Sequence, residues 1–310
     1  MTLSEKMGRE ESTLVFRIPC LPGQKNMKFA PGNRTYRDHK KQMLILKQIQ
    51  LAEIHDQPWC PRVIRNDVTD FLQYSTNHWG QYTPLLPTLC YFLQRVNAQQ
   101  IIDLCSGGCG PWRGLYGTIS RAFGKSFRII LTDRYPNLAA FQLASNLSDG
   151  IIDFREEPLD ACALPKEIDG FRTLFGSFHH FAPALAQQVL QDAVDSGHGI
   201  GIFEMTDRRL ATVLTMLTAP LFVLLHTPNI RPFRWSRLLL TYLLPVVPLL
   251  VMVDGIISCL RSYTTKELTA MTASLTGAPF DWEIRRLGSP RSPFPIIYVI
   301  GCPKSGTITK

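Results

Sequence analysis

A run of small residues at positions 101–112, IIDLCSGGCGPW, has the composition and spacing of a ligand-binding loop. An apolar segment ends in Asp103, and the small residues then lead into a helical pattern. Glycines let the backbone approach a ligand closely, and the N-terminus of the following helix favours negative charge. The run predicts either a ligand loop at the carboxyl end of a strand or a tight turn without a ligand.

The glycine spacing argues against a nicotinamide dinucleotide. That motif, Gly-x-Gly-x-x-Gly, needs glycines separated by two and then three positions. Gly108 and Gly110 satisfy the first separation, but Arg113 occupies the next required position. Counting from Gly107 instead, the second position is Cys109. The interpretation as a dinucleotide-binding loop therefore fails on spacing.

The elements that would position this loop form an α/β pattern. Short apolar runs alternate with amphipathic helical stretches, and these runs are 101–104, 127–132, 151–154, 172–175 and 200–203. Such alternation predicts parallel βαβ units. Two later runs, 282–287 and 296–300, are joined by the short link GSPRSP, which predicts an antiparallel pair. The expected fold is a Rossmann-like, seven-stranded doubly wound sheet whose last strand is antiparallel.

The region before residue 96 is expected to be a basic tail followed by a helical cap. Apolar spacing predicts a first helix from about Lys41 to Ile54, a second around Val68 and a third after Pro87. The predicted domains are 1–95 for the tail and cap and 96–310 for the cofactor-binding domain. Thr264 and Glu267 have the spacing of a capping box at the start of a late helix.

A second acidic residue follows the second predicted strand. Asp133 ends RIILTD, 30 positions after Asp103. A carboxylate can accept hydrogen bonds from both hydroxyls of a ribose. The alternative interpretation is that Asp133 caps the next helix.

In their order and spacing, these features resemble the class I S-adenosylmethionine-dependent methyltransferases over residues 97–303. LDACALP after the third strand and FGSFHHF after the fourth add to the resemblance. It implies S-adenosyl-L-methionine as the cofactor. The cofactor-binding residues that it implies are Asp103, Cys105, Gly107, Gly108, Asp133, Asp160, Ala161 and Ser177.

Within that set, the resemblance implies separate roles. Asp133 would take the ribose hydroxyls, Asp160 the adenine amine, and the Ala161 amide a ring nitrogen of the adenine. Cys109 stands where the family has a glycine, so its side chain must point away from the methionine moiety.

Three further segments look like signatures of a poorly characterised small-molecule subgroup of these enzymes. They are EIHDQPW at 53–59, SFHHF at 177–181 and DGIISCLRSYT at 254–264.

The candidate catalytic residues are His179 and His180, which follow the fourth strand. Methyl transfer needs a base only if the acceptor holds a proton in its reactive state. The alternative is that these histidines pack or hydrogen-bond the cofactor. No metal site is expected, because adjacent histidines cannot easily supply two ligands and no motif places a third. His55 and Asp56 are a second polar pair expected to close over the site.

An apolar helical insertion is expected at about 207–262, between the fifth and sixth strands. Residues 210–225 and 238–253 are two runs of 16 without a charge, and both contain proline. Each is shorter than the roughly 20 residues of a membrane span. The runs predict either buried or lid helices over an apolar pocket, or a hairpin that dips into lipid.

Charge and cysteine content limit the partners and the compartment. The chain has 33 Lys and Arg against 25 Asp and Glu, a net charge of +8, and its first 50 residues carry ten basic and four acidic residues. A basic end is a solvated tail or contacts a membrane surface or nucleic acid. No nucleic-acid partner is expected, because no RNA-binding motif is present.

The cysteine content bears on the compartment. No CxxC pair and no apolar leader occur, which favours reduced thiols and a cytoplasmic location. Peripheral or hairpin membrane association is left open.

The sequence thus predicts a methyltransferase acting on an apolar small molecule, either lipid-like or a secondary metabolite. Two alternatives remain at this stage. One is a non-methylating protein of the same fold, a cyclase or a binding partner. The other is a membrane-docked interaction protein.

Overall fold

One sheet of seven strands organises the computed structural model, which describes residues 44–289 and 292–304. The strands are β1 Gln100–Leu104, β2 Arg128–Leu131, β3 Ile152–Phe154, β4 Phe171–Phe175, β5 Ile200–Glu204, β6 Phe280–Ser289 and β7 Ser292–Pro303. Their spatial order is β3-β2-β1-β4-β5-β7-β6. The first five strands pair in parallel, whereas β7 is antiparallel to both β5 and β6. The predicted sheet is confirmed.

Helices cover both faces of this sheet and form an insertion after β5. The α-helices are α1 Arg62–His78, α2 Leu86–Arg95, α3 Trp112–Phe123, α4 Leu138–Leu147, α5 Pro183–Asp195, α6 Leu210–Met216, α7 Ala219–His226, α8 Trp235–Leu238, α9 Val246–Arg261 and α10 Thr265–Ala273. Short 3₁₀ turns lie at Thr83–Leu85, Phe178–His180 and Thr227–Asn229, and a π-helical turn lies at Leu239–Leu243. The expected capping box is present, because the Thr264 hydroxyl and the Glu267 carboxylate each accept from the other residue's backbone amide.

Alternate residues of the central strands enter two separate cores. Ile101 and Ile129 pack on one side of the sheet with Trp112, whereas Ile102 packs on the other side with Leu190. Because successive side chains of a strand point to opposite faces, uninterrupted apolar runs are what a sheet covered on both faces requires.

The insertion buries one side and exposes the other. On the inner side, Val223, Val247 and Val251 pack against Val68 and Phe71 of α1. The outer side exposes large apolar side chains: Leu214, Leu217, Leu221, Leu225, Phe233, Trp235, Leu239, Tyr242, Leu243 and Leu249. The apolar helical insertion predicted between the fifth and sixth strands is therefore confirmed.

No helix in the described ranges is, by itself, long and apolar enough to cross a membrane. Two bent pairs of helices meet the length and composition requirement together. The pair 210–216 with 219–229 is bent by 41°, and the pair 235–243 with 246–261 is bent by 78°.

The helix expected between Lys41 and Ile54 is wrong for the part that the structure describes. Residues 44–61 contain no helix. Their backbone instead bonds to the insertion, with the amides of Leu46 and Ile49 donating to the carbonyls of Arg208 and Leu260. These long-range partners replace the hydrogen bonds that a helix would have made within itself. Residues 1–43, with the predicted basic tail and the first part of that helix, lie outside the described residues.

A buried ion pair fastens the insertion to α1. Arg237 of α8 pairs with Asp70, and its Nε lies 3.3 Å from Asp67 Oδ1. All three side chains are at most 1% exposed. Two buried carboxylates therefore share one buried guanidinium, and Asp70 has a second cation in Arg234, whose Nε lies 3.5 Å from it.

We expect Arg237→Leu to lower the free energy of unfolding by about 3–5 kcal/mol, because it leaves the buried Asp67 without its cation and Asp70 with Arg234 alone. Urea denaturation measures this loss. Arg95→Leu is the control, since Arg95 pairs with the exposed side chain of Asp281. A pair of this kind contributes at most about 1 kcal/mol. Equal losses in the two variants would contradict the role of the buried pair.

Candidate cofactor and active site

Asp103, near the end of β1, bonds to the loop that follows this strand. This side chain is 1% exposed, and its carboxylate accepts from the Ser106 hydroxyl at 2.7 Å and from the Thr173 hydroxyl at 2.6 Å. Burial raises the pKa of Asp103 to about 6, although these hydroxyl donors oppose the shift. The structure therefore places Asp103 below the loop, where it links β1 to β4.

The loop reverses direction through left-handed backbone conformations. Cys105 and Gly107 both have φ of +55°, and Cys109 has φ of +89°. The Cys109 side chain is fully buried in the core that contains Trp112 and Leu115. The residue that departs from the family's glycine pattern thus places its sulfur in the hydrophobic core.

Gly107 and Gly108 have different surroundings. Gly107 is only partly buried. Gly108 is buried against α1, where an added Cβ would lie 2.7 Å from the Thr69 carbonyl oxygen. The absence of a side chain at Gly108 therefore permits close packing with α1.

Asp133, after β2, contacts this loop directly. Its Oδ2 accepts from the Gly107 amide and its Oδ1 from the Tyr135 amide, both at 2.7 Å. Burial raises the pKa of Asp133, and these two amides oppose the shift. The N-cap of α4 is Asn137, whose side chain accepts from the Ala140 amide, so the capping alternative considered for Asp133 does not hold.

The segment after β3 lies beside Asp133, since the Leu159 amide donates to the Asp133 carbonyl. Asp160 is exposed and accepts from the Cys162 amide at 2.9 Å, while Ala161 is buried. An open groove of about 330 Å³ is lined by residues that include Arg134 and Tyr135, next to Asp133 in the chain. The structure therefore brings the loops carrying Asp133 and Asp160 together.

The turn after β4 carries Ser177, His179 and His180. Ser177 Oγ is buried and has no hydrogen-bond partner within residues 44–289 and 292–304. His179 Nδ1 lies 2.7 Å from Glu204 Oε2, and Glu204 Oε1 accepts from the Phe178 amide at 2.7 Å. Burial by itself would raise the pKa of Glu204, but His179 and the Phe178 amide hold that pKa below its usual range.

His180 is surrounded by carboxylates. Its Nδ1 bonds to Asp56, and its Nε2 lies 3.7 Å from Glu53 Oε2. Burial disfavours the charged imidazole, but Glu53 and Asp56 outweigh burial and raise the pKa of His180 to about 10. The structure thus brings His55 and Asp56 to the turn that carries the histidine pair.

Asp254 of α9 bonds to residues 44–61, which precede α1 and are called the N-terminal segment below. Its carboxylate accepts from the amides of Ile54 and His55 at 2.8 and 3.1 Å, and it lies 2.7 Å from His55 Nδ1. Arg261, about two turns further along the same face of α9, donates to the carbonyls of Leu51, His179 and His180. The three signature segments of the sequence therefore converge on one site.

Sequence reasoning assigned no role to four members of this site: Glu53, Glu204, Asp254 and Arg261. Three of them lie in the signature segments, and Glu204 ends the fifth strand. These locations in the sequence could have marked the four residues as candidates, but they do not show which side chains contact one another.

The sheet order, with an antiparallel β7 between β5 and β6, decides the fold family. The chain has the class I methyltransferase fold. No protein-family model matches it, and neither does any curated protein sequence.

Solved structures resemble the chain distantly. An O-methyltransferase family protein from Burkholderia thailandensis aligns with 15% identity and a TM-score of 0.41, over 73% of this chain and 57% of that one. The plantazolicin methyltransferase in complex with S-adenosylhomocysteine aligns with 11% identity and a TM-score of 0.46, over 78% and 96%. Human N-acetylserotonin methyltransferase in complex with S-adenosylmethionine aligns with 13% identity and a TM-score of 0.40, over 74% and 55%. The chain thus spans little more than half of the Burkholderia and human proteins.

The packing of Gly108 on α1 gives a test of the loop. We expect Gly108→Ala to lower the free energy of unfolding by about 1–3 kcal/mol, because the Thr69 backbone must move. Gly117→Ala in α3 is the matched control, since its Cβ would meet only Arg121 Nη1, at 3.7 Å. Removing a helical glycine should raise stability by about 0.5–1 kcal/mol. Thermal or urea unfolding of both variants measures the difference, and equal stabilities would show that the loop does not depend on this contact.

Proposed function

We propose that the protein is an S-adenosylmethionine-dependent methyltransferase whose acceptor is an apolar small molecule. The observation that carries the proposal is the Asp133 carboxylate, held at the end of β2 against the loop amide of Gly107. S-adenosylmethionine, when bound, supplies an electrophilic methyl group. Binding of the cofactor and removal of a proton from the acceptor depend on the side chains of this protein.

The residues at the sheet edge suit this cofactor chemically. Each Asp133 oxygen accepts one amide and keeps a lone pair with which to accept from a ribose hydroxyl. Ser177 offers a buried hydroxyl that no described residue uses. Asp160 and Ala161 would hold the adenine, as the family resemblance implies.

His179 is the proposed general base. Glu204 holds its Nδ1 at 2.7 Å, which is the arrangement of a base oriented by a carboxylate. Its Nε2 is then the atom that would take a proton from the acceptor, and Glu204 would stabilise the resulting imidazolium. Both imidazoles lie near Glu53 through Nε2, at 3.5 Å for His179 and 3.7 Å for His180. His179 is preferred because Glu204, which orients it, is itself fixed by the Phe178 amide.

The apolar character proposed for the acceptor is supported by α9. This helix begins among the exposed apolar residues of the insertion, such as Leu249, and reaches the site at Asp254 and Arg261. Residues 238–253 carry no charge. An apolar acceptor could therefore pack against the uncharged first half of α9 while its reactive group lies near Asp254 and Arg261.

We further propose that the outer side of the insertion rests on an anionic lipid surface. Trp235 is 78% exposed and Leu243 is 72% exposed, and the Tyr242 hydroxyl donates to the Leu224 carbonyl, which joins α7 to the π-helical turn. Aromatic side chains and leucines of this kind enter the lipid headgroup boundary, and exposed cations such as Arg231 attract anionic headgroups. Exposed apolar surface of this extent is unusual on a monomer without a partner.

Cofactor binding is tested by calorimetric titration of S-adenosylmethionine into the full chain. We expect Asp133→Ala to weaken binding by about 100-fold or more, because a carboxylate that accepts from two hydroxyls contributes about 3 kcal/mol or more. Asp153→Ala on β3 is the matched control, since Asp153 is exposed and accepts only the adjacent amide of Phe154.

The outcomes separate the alternatives. Binding that survives in Asp153→Ala and is lost in folded Asp133→Ala supports the proposal. No binding to folded wild type would overturn it. Binding without consumption, in a screen of apolar acceptors, would favour the non-methylating alternative of the same fold.

Lipid contact is tested by flotation with phosphatidylcholine vesicles that contain phosphatidylserine. We expect Trp235→Ser combined with Leu243→Ser to reduce the bound fraction by about tenfold or more, since each removes a large side chain worth about 1.5–3 kcal/mol when fully buried. Tyr91→Ser combined with Leu147→Ser is the control. These side chains are about half exposed on α2 and α4, outside the insertion. Equal flotation of the two double variants would refute the lipid contact.

A further inference from the structure

One buried carboxylate at the convergence of the signature segments has no hydrogen-bonding partner for one of its oxygens. Glu53 is 1% exposed, and within the described part of the chain no donor bonds to its Oε1. Leaving an ionised carboxylate buried without compensation is costly. Glu53 therefore needs a positive partner, which is either the protonated imidazole of His180, whose pKa Glu53 helps to raise, or a bound cation.

The groups around Glu53 are imidazoles at distances longer than hydrogen bonds. His179 Nε2 lies 3.5 Å from Oε1, His180 Nε2 lies 3.7 Å from Oε2, and His55 Nδ1 lies 3.9 Å from Oε2. Hydrogen bonds between nitrogen and oxygen span about 2.7–3.2 Å. Ligand atoms about 2.1 Å from a tetrahedral ion are about 3.4 Å apart. The 3.7 Å between Glu53 Oε2 and His180 Nε2 is thus closer to the spacing of two ligands around an ion than to that of a hydrogen-bonded pair.

Three of these groups are close enough to share an ion. Glu53, His55 and His180 each offer one ligand atom, and these atoms all lie within 4.8 Å of one another. Glu53 and His55 are buried and His180 is partly buried, so the cluster is not a chance array of surface side chains.

A second layer of carboxylates orients the two imidazoles. His55 Nδ1 bonds to Asp254 and His180 Nδ1 bonds to Asp56. An imidazole that donates through Nδ1 to a carboxylate leaves its Nε2 lone pair for a metal. Histidine ligands of metals almost always have such a partner.

The charge of the cluster also favours a cation. Four carboxylates meet here: Glu53, Asp56, Glu204 and Asp254. Arg65 and Arg261 bring two guanidiniums to the site, and their donors go to backbone carbonyls, including that of His55. With neutral imidazoles, a divalent ion would balance the sum of four negative and two positive charges.

We propose that Glu53, His55 and His180 form a site for a divalent metal ion with a preference for nitrogen and oxygen ligands, such as zinc. Two imidazoles and one carboxylate are a ligand set that leaves at least one coordination position open. The site combines the N-terminal segment with the turn after β4, and α9 supplies its outer carboxylate.

The position of this site suggests its use, and this step rests on the proposed function. Asp56 and His180 both act electrostatically on Asp133, so the cluster adjoins the proposed cofactor loop. A metal ion there would bind a hydroxyl oxygen of the acceptor and lower the pKa of that hydroxyl. The O–H bond would break with its electron pair remaining on oxygen, and the proton would pass to His179 Nε2.

Metal binding is tested on the full chain without cofactor, so that it does not depend on methyl transfer. Protein stripped with a chelator is titrated with Zn²⁺ against a chromogenic competitor, and bound zinc is counted by mass spectrometry after gel filtration. We expect one zinc per chain. Glu53→Gln and His55→Gln should each weaken binding by more than the about 10–100-fold loss that is typical of an outer-shell change. Asp254→Asn should fall within that range.

His78→Gln is the matched control for adventitious zinc. His78 is exposed on α1, and its ring centroid lies 5.2 Å from that of His226, outside the cluster. Wild-type affinity in this variant, with loss in folded Glu53→Gln, supports the site. The proposal is overturned if wild type binds no stoichiometric zinc, if Glu53→Gln binds as wild type does, or if zinc is lost in His78→Gln. If His55→Gln does not fold, the isosteric Glu53→Gln and Asp254→Asn still decide the outcome, whatever the S-adenosylmethionine titration gives.

Discussion

The site depends on the three hydrogen bonds that the Asp254 carboxylate accepts from residues 54 and 55. This carboxylate is 3% exposed, so folding must provide it with donors. The N-terminal segment supplies those donors, although it has no helix of its own. The position of α9 is fixed in turn, because the insertion is fastened to α1 through the buried pair of Arg237 and Asp70. The insertion, the segment and the edge of the sheet therefore form the site only together.

The sheet could be predicted because its signal is local. Each central strand is a short uninterrupted apolar run, as two covered faces require, and the order of the runs fixes the crossover topology. The capping box at Thr264 and the end of α5 before Gly197, whose φ is +69°, are also local features. The first predicted helix was wrong because local spacing does not show long-range partners. Leu44 and Leu51 are seven positions apart, a spacing compatible with one helix face, yet both are exposed, and the amides of Leu46 and Ile49 bond to the insertion.

The candidate site was only partly accessible from the sequence for the same reason. His179 and His180 were placed because they follow β4, and parallel strands bring their carboxyl ends to one edge. Their carboxylate partners come from elsewhere: Asp56 is 124 positions from His180, and Asp254 is 199 positions from His55. No periodicity encodes such pairs. Gly108 carries a constraint that the spacing did not reveal, since its α-carbon packs against the backbone of Thr69.

Helix α9 joins the two chemically opposite parts of the molecule. Its first half, residues 246–253, carries no charge and includes the exposed Leu249, while its second half carries Asp254 and Arg261. A helix of 16 residues is about 24 Å long, so these halves are separated by roughly one half of that length. A rigid element of this kind fixes the distance between the apolar outer surface and the polar cluster. An acceptor with an apolar body and one polar reactive group would match this division, because its body could remain against the insertion while only its reactive group reached the imidazoles and carboxylates. The proposed substrate class and the proposed lipid contact thus rest on one structural feature, the abrupt change from apolar to charged residues at position 254.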